Sequence, residues 1–599
     1  VTPRRIVLSL LAGALVLWLG WSAFTLVSAA REAEQGLDGL DQLEGMSGSS
    51  AAEVVDQVVD GDEAGLDPDV VADLRASAEH FEAASSRADS AWLVPLEHVP
   101  VLGRQLRSVQ SLGAAAATVS SSAADAFEEV DAALEGPFPD SAARVAAVRA
   151  VGDSLQQLRE RVGDVDLGPL EGLVGPLASA RDRFSEELAT LQGALDEAAP
   201  AALGTATFLE GPSSYLFFAA NNAEMRAGSG MYLQAGTLGI DGGTFSFGPL
   251  EATDDMVLSR PGTVLDPDVA ANWAWLSPDR EFRNVNVTPR FEESARMASE
   301  MWASSGRGGV DGVMVADVYA LKFLLRAVGP VEVPASDDAA AMVVTADDVV
   351  QQLLLDQYAD QDDDRTSRRE SLGRVATAVL DALNTSEVPP MELLRAIDRA
   401  VSGRHLLLWS ADPAQEAAFE AIGADGTLHG DDLAVGLLNR GGNKLDQFLT
   451  SAVALEPIGA PVEDRQAYRM VVTLTNAAPE GLPAYVSGPH PRSTQPEGTW
   501  EGTVAVTLPA PAGAMATAAP LEVFGNDGPS RVVGMHAVVP RGATTELELT
   551  FDLPVEATTV QLMASARPNP TQWRIGAPGS ASATELSDAQ GQLVDLGAG

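Results

Sequence analysis

The chain has no cysteine among its 599 residues, which excludes disulfide bridges, a thiolate nucleophile and any cysteine-ligated metal centre. Basic side chains are scarce: 38 lysines and arginines stand against 85 acidic residues, giving a formal net charge of −47. Such a surface repels phosphate backbones, which argues against a nucleic-acid groove and requires any polyanionic ligand to find a local basic pocket. The only lysines are Lys322 and Lys444, a bias toward arginine of the kind that GC-rich coding produces. The histidines, His80, His98, His405, His429, His490 and His536, lie far apart, with no pair at metal-ligand spacing. No P-loop, G-x-S-x-G elbow or H-E-x-x-H motif is present.

What is present is a long apolar start followed by compositional zones. Arg4 and Arg5 precede an uncharged run, Ile6 to Ala30, longer than the ~20 residues that span a bilayer. Arginines before it and acidic residues after it predict a single-pass anchor at residues 1–30. The N-terminus is then cytoplasmic and the bulk of the chain extracytoplasmic, in the cell membrane. A signal peptide cleaved near Val27 to Ala29 is the alternative. Residues 31–200 carry apolar positions at spacings of three and four, interrupted by Gly and Pro, and predict an all-α stalk or bundle. Residues 201–455 alternate short apolar runs with helical patterns, as an α/β domain does. The "IDGGTF" junction there is a hairpin signal. Residues 456–576 are β-rich and Pro/Gly-spaced, predicting a β-sandwich; residues 577–599 are read as a loose tail.

Three polar clusters lie in the middle zone. The first, "NNAEMRAGSG", leaves the apolar run "YLFFAA" and holds Asn221, Asn222, Glu224, Arg226, Gly228 and Gly230. A loop at the end of a core strand is where α/β domains place ligands, and glycines let backbone N–H groups approach an anion. The same residues also suit a structural knot. The second is "DQDDDRTSRRESLGRV": on a helix starting near Asp364, Arg365, Arg368 and Arg369 share one face and suit bidentate phosphate contacts. Internal pairing with the neighbouring acids is the alternative, and a divalent cation on the aspartates a further one. In the third, "NRGGNKLDQF", Asn443 and Lys444 precede a predicted helix, as an anion site or a plain cap would.

From about Leu203 to Thr450 the segments "YLFFAANNAEMRAGSGMYLQAGTLGIDGGTFSF", "GVDGVMVADVYALKFLLRAVGPVEV", "RHLLLWSADPAQEAAFEAIGADG" and "LLNRGGNKLDQFL" together resemble the bacterial family called domain of unknown function 4012. That family name implies no activity. More distantly, "VDGVMVADVYALKFLLRAVGPVEV" and "DRTSRRESLGRVATAVLDAL" are similar to segments of the LytR-CpsA-Psr proteins, which transfer glycopolymers from polyprenyl-pyrophosphate carriers to the cell wall. The resemblance implies a pyrophosphate grip at Arg365, Arg368 and Arg369, with Arg226 as a fourth member. It departs from that family in its first loop, where Asn221 and Asn222 stand in place of a catalytic aspartate.

The resulting expectation is a membrane-anchored cell-envelope protein. It binds a lipid-linked or wall-associated glycopolymer through an arginine-lined pocket formed with Asn221, Asn222, Gly228, Asn443 and Lys444. One alternative is a phosphotransferase in which Glu224 or Asp364 binds Mg²⁺. A purely structural envelope scaffold is the other.

Overall fold

The computed structural model describes residues 68–88, 101–335, 340–358, 365–489, 494–576 and 583–596. These residues divide into two compact units, with the change of unit at residue 210. The first contains helices α1 (Pro68–Ala88), α2 (Leu102–Leu134), α3 (Ser141–Gly163) and α4 (Gly175–Glu210). Their apolar stripes meet in one core that includes Leu112, Val119, Phe127, Leu155, Leu158, Phe184, Leu191 and Leu195. Alanines at 115, 116, 123, 124, 198 and 199 are buried among these larger side chains.

The second unit begins with the apolar run of the first polar cluster. Strand β1 (Ser213–Met225) is buried along nearly its whole length, as a central strand covered on both faces must be. Around it lie β2 (Gly230–Asp241), β3 (Thr244–Phe247), β5 (Gly312–Asp317) and β8 (Leu406–Ser410), in the order β3-β2-β1-β5-β8, with the short β4 (Glu251–Ala252) on β2. Only β1 and β5 run parallel; the other pairs are antiparallel. The hairpin signal is realised: Asp241 pairs with Thr244, and Gly242 and Gly243 form the turn with φ of 54° and 74°, a backbone that most side chains disfavour.

One face of this sheet packs through Leu216, Phe218 and Val313 against Phe282 and α6 (Phe291–Trp302), which follows the short α5 (Pro267–Trp273). Helices α7 (Val318–Val328), α9 (Arg365–Thr385) and α10 (Pro390–Ser402) pack together beside Phe245 of β3. A small hairpin of β6 (Val331–Val333) and β7 (Met342–Val344) and helix α8 (Val349–Leu354) lie between α7 and α9 in sequence. Helix α11 (Pro413–Ala421) follows β8.

Two six-stranded sheets form the sandwich of this unit. The first has the order β13-β16-β11-β10-β18-β19, and the second β14-β15-β12-β9-β17-β20. Their strands are β9 (Asp432–Asn439), β10 (Leu449–Val462), β11 (Arg465–Asn476), β12 (Trp500–Leu508), β13 (Gly513–Thr517) and β14 (Leu521–Asp527). The remainder are β15 (Ser530–Val539), β16 (Thr544–Pro554), β17 (Thr559–Leu562), β18 (Gln572–Ile575), β19 (Thr584–Ser587) and β20 (Gln592–Asp595), with helix α12 (Ala484–Ser487) between β11 and β12. The inner faces share a core containing Leu437, Val472, Trp500, Val504, Met535, Phe551 and Trp573. The outer face of the second sheet is also covered: Leu438, Ala505, Val523 and Val532 pack on Val269, Trp273, Val287 and Met297.

This arrangement corrects the fold class expected from sequence. The α/β part and the sandwich are not separate domains, because the second sandwich sheet has apolar residues on both faces and one face is completed by α5 and α6. The sandwich also starts earlier than residue 456, since β9 is a central strand between β12 and β17. Its run "DLAVGLLN" is a continuous apolar stretch, which suits a buried strand of either domain. The final residues are not all loose: β19 and β20 extend the two sandwich sheets. No helix among the described residues is long and apolar enough to cross a membrane; residues 6–30, where a spanning helix was expected, lie outside them. The central sheet is a mixed one, and its likeness to the LytR-CpsA-Psr fold gains no support.

Candidate functional site at the end of strand β1

The first and third sequence clusters meet. Arg226 is buried, its N–H donates to Ser229 O, and its side chain donates to Asn284 Oδ1 at 3.1 Å, Met225 O at 3.0 Å and Asn439 O at 3.1 Å. A contact with Met231 Sδ completes the set. Burial pulls this guanidinium below its ordinary pKa, with the Glu224 charge opposing the shift. Gly228 N–H donates to Asn286 O, and a Cβ at 228 would stand 2.5 Å from Thr288 O. The glycine therefore serves a close backbone crossing. Asn439 Nδ2 donates to Asp446 Oδ2 at 2.6 Å and to Asn443 Oδ1 at 3.1 Å, while Asn443 Nδ2 donates to Thr499 O. Asp446 also accepts from Met225 N–H and Trp500 Nε1. The bonds from Arg226 to Asn439 O and from Met225 N–H to Asp446 join the end of β1 to the sandwich, whereas Gly228 serves a crossing within the α/β part and Asn443 braces the loop after β9 against Thr499.

Lys444 is only 2% exposed. Its ammonium lies 3.4 Å from Glu224 Oε2 and 5.5 Å from the ring centres of both Tyr358 and Tyr485. Its three N–H donors thus have one carboxylate and two π faces around them. Burial alone would lower the Lys444 pKa, but Tyr358, Glu224 and Tyr485 outweigh it and hold the group above its ordinary value. Asn221 Nδ2 reaches Tyr358 Oη at 3.4 Å, and Asn221 Oδ1 accepts from Ala223 N–H. Glu224 uses only Oε2 on the lysine, and Tyr485 is half exposed.

Asn222 projects the other way, as the next residue of an extended strand does. Its Nδ2 donates to Asp317 Oδ2 at 2.5 Å and to Ala566 O at 2.8 Å. Asp317 stands at the carboxyl end of β5, in register with Ala220 of β1. Its Oδ1 caps α7 by accepting from Tyr319 and Ala320 N–H. Asp317 Oδ2 also faces His405 Nδ1 at 2.7 Å.

Of the residues singled out in the sequence, Asn221, Glu224 and Lys444 converge on one site, Asn222 joins a second, Arg226 fastens β1 to β9, and Gly228 and Asn443 support their own loops. Arg365, Arg368 and Arg369 fall in the first turns of α9, but their side chains, like Asp364 as a whole, lie outside the description. No group of three or more His, Asp or Glu among the described residues is arranged to hold a metal ion. Sequence reasoning missed Tyr358, Tyr485, Asp317 and His405. The signal available for Asp317 was its place between an apolar strand and a helix, the N-cap position. His405 carried none beyond preceding an apolar strand.

Residues 210–358 match the family model described as Protein of unknown function (DUF4012). That match covers β1 to Tyr358 and hence Asn221, Asn222, Glu224, Arg226, Asp317 and Tyr358, while His405 and Lys444 lie beyond it. No curated protein and no solved structure matches the chain.

Proposed function

We propose that the second unit is a glycan-binding module of the cell envelope, with its site at the rim formed by Glu224, Lys444 and Tyr485. The observation that carries this reading is the unspent valence of Glu224. One carboxylate oxygen neutralises Lys444 and the other remains an acceptor for a ligand hydroxyl, beside the half-exposed ring of Tyr485. A carboxylate acceptor beside an aromatic face suits the alternating hydroxyl and C–H surfaces of a sugar. Placement outside the cytoplasm is part of the proposal. A pyrophosphate grip centred on Arg226 is not part of it, because that guanidinium has its donors engaged inside the protein.

The test is co-sedimentation of the full chain with purified cell-wall polysaccharide. Tyr485→Ala and Glu224→Gln should each weaken retention about tenfold, as the loss of one aromatic or polar contact does, with the far-ultraviolet spectrum unchanged. Equal retention of both folded variants and the wild type would sink the proposal.

A further inference from the structure

On the opposite face of β1, three strands deliver polar side chains to one sheet end. Asn222 comes from β1, Asp317 from the carboxyl end of the parallel β5, and His405 from the start of the antiparallel β8, where its carbonyl accepts from Asp317 N–H. The carboxylate is fully engaged: Oδ1 takes two backbone N–H groups, and Oδ2 takes Asn222 and His405 Nδ1. A carboxylate so held fixes the imidazole with its proton on Nδ1 and leaves Nε2 as a proton acceptor. Among the described residues Nε2 has no hydrogen-bond partner, and the residue as a whole is 8% exposed. The ring stacks on Tyr319 at 5.0 Å between centres, with Phe323 at 5.9 Å. Gly403 leaves the ring its space: a Cβ there would stand 2.7 Å from His405 Cδ2 and 3.1 Å from Nε2.

We propose that His405, oriented by Asp317 and Asn222, is the general base of a hydrolytic site for neutral carboxylic esters. Water gives a proton to His405 Nε2 while its oxygen bonds to the acyl carbon. The bond from that carbon to the leaving oxygen then breaks, and the proton passes from Nε2 to the leaving oxygen. No electrons are exchanged with an external partner. The flanking Tyr319 and Phe323 rings offer apolar surface to an acyl group, and Lys322 and Arg326, 5.7 and 5.8 Å from those ring centres, make a phosphate ester the control substrate: hydrolysis of p-nitrophenyl phosphate in preference to the acetate would overturn the choice of a carboxylic ester. This inference is independent of the glycan reading, which uses the other face of the strand.

The full chain is assayed with p-nitrophenyl acetate. His405→Gln should lower the rate about a hundredfold, within the range a positioned base supplies, while His429→Gln leaves it unchanged. Gly403→Ala keeps the imidazole but crowds Nε2, and should cost about tenfold by misplacing the base. A wild-type rate no higher than buffer, a folded His405→Gln with the wild-type rate, or a folded Gly403→Ala with the full rate would each overturn the proposal.

Discussion

Arg226 and His405 are both buried and both held by polar partners near the same end of the central sheet, yet they differ in what remains unspent. The arginine donates to three oxygens from separate parts of the chain and is closed. The imidazole gives one nitrogen to a carboxylate and keeps the other. The residue type most suited to gripping an anion has become a fastener, and the more ordinary-looking histidine keeps one nitrogen without a partner among the described residues. Spare hydrogen-bonding capacity, more than charge, separates a site from a scaffold.

Breaking that contrast on the arginine side should give the largest effect. Arg226→Ala takes a donor from Met225 O, Asn439 O and Asn284 Oδ1 in a buried seam, which costs about 3–5 kcal/mol at roughly 1–3 kcal/mol for each buried acceptor left unsatisfied. Urea unfolding of the second unit measures it, and polysaccharide retention by the fraction still folded should be unchanged. A loss under about 1 kcal/mol would mean that the seam is fastened elsewhere.

A second effect comes from carboxylates that are buried without enough donors. Burial raises Asp527 to about 7, with its bond from Thr288 and the Arg290 charge opposing; Oδ1 has no hydrogen-bond partner. Burial likewise raises Glu416 to about 7, against one backbone N–H from Ser410. With the folded pKa above the unfolded one, the folded state binds the proton more tightly. The stability this contributes is present below about pH 4 and is lost as pH rises through about 7. The second unit should therefore weaken between about pH 4 and 7, by roughly 2–4 kcal/mol for Asp527. Asp527→Asn should flatten that part of the profile in denaturant titrations at each pH. An unchanged slope would show that Asp527 is already ionised at pH 5.

The sequence made the local elements legible and left their assembly hidden. "YLFFAA" read as a buried strand and "IDGGTF" as a hairpin because a short continuous apolar run and a glycine pair are local signals. The meeting of "NNAEMR" with "NRGGNK" was not legible, since about two hundred residues separate them and only the fold brings Lys444 to Glu224. The α/β to sandwich boundary was misplaced for a related reason. A strand such as β9, apolar on both faces, carries no mark of which sheet will claim it. Asp317 was hidden by having two duties, a helix cap that explains it fully in sequence terms and an imidazole partner that appears only in three dimensions.

The smallest effect sharpens the same comparison at the surface. Arg307 pairs with Glu251 through Nη2 and Oε2 at 2.7 Å, with both side chains substantially exposed, and its guanidinium also lies 5.2 Å from the Trp302 ring centre. Here solvent screens the charge and either partner can be rehydrated, so Glu251→Gln should cost less than about 1 kcal/mol and less still at high salt. Arg307→Ala should cost about 0.5–1 kcal/mol more, because the ring contact goes with it. Thermal unfolding of both variants at low and high salt separates the two contributions. A salt-independent loss for Glu251→Gln as large as that of Arg226→Ala would contradict the view that burial, rather than the arginine itself, sets the cost.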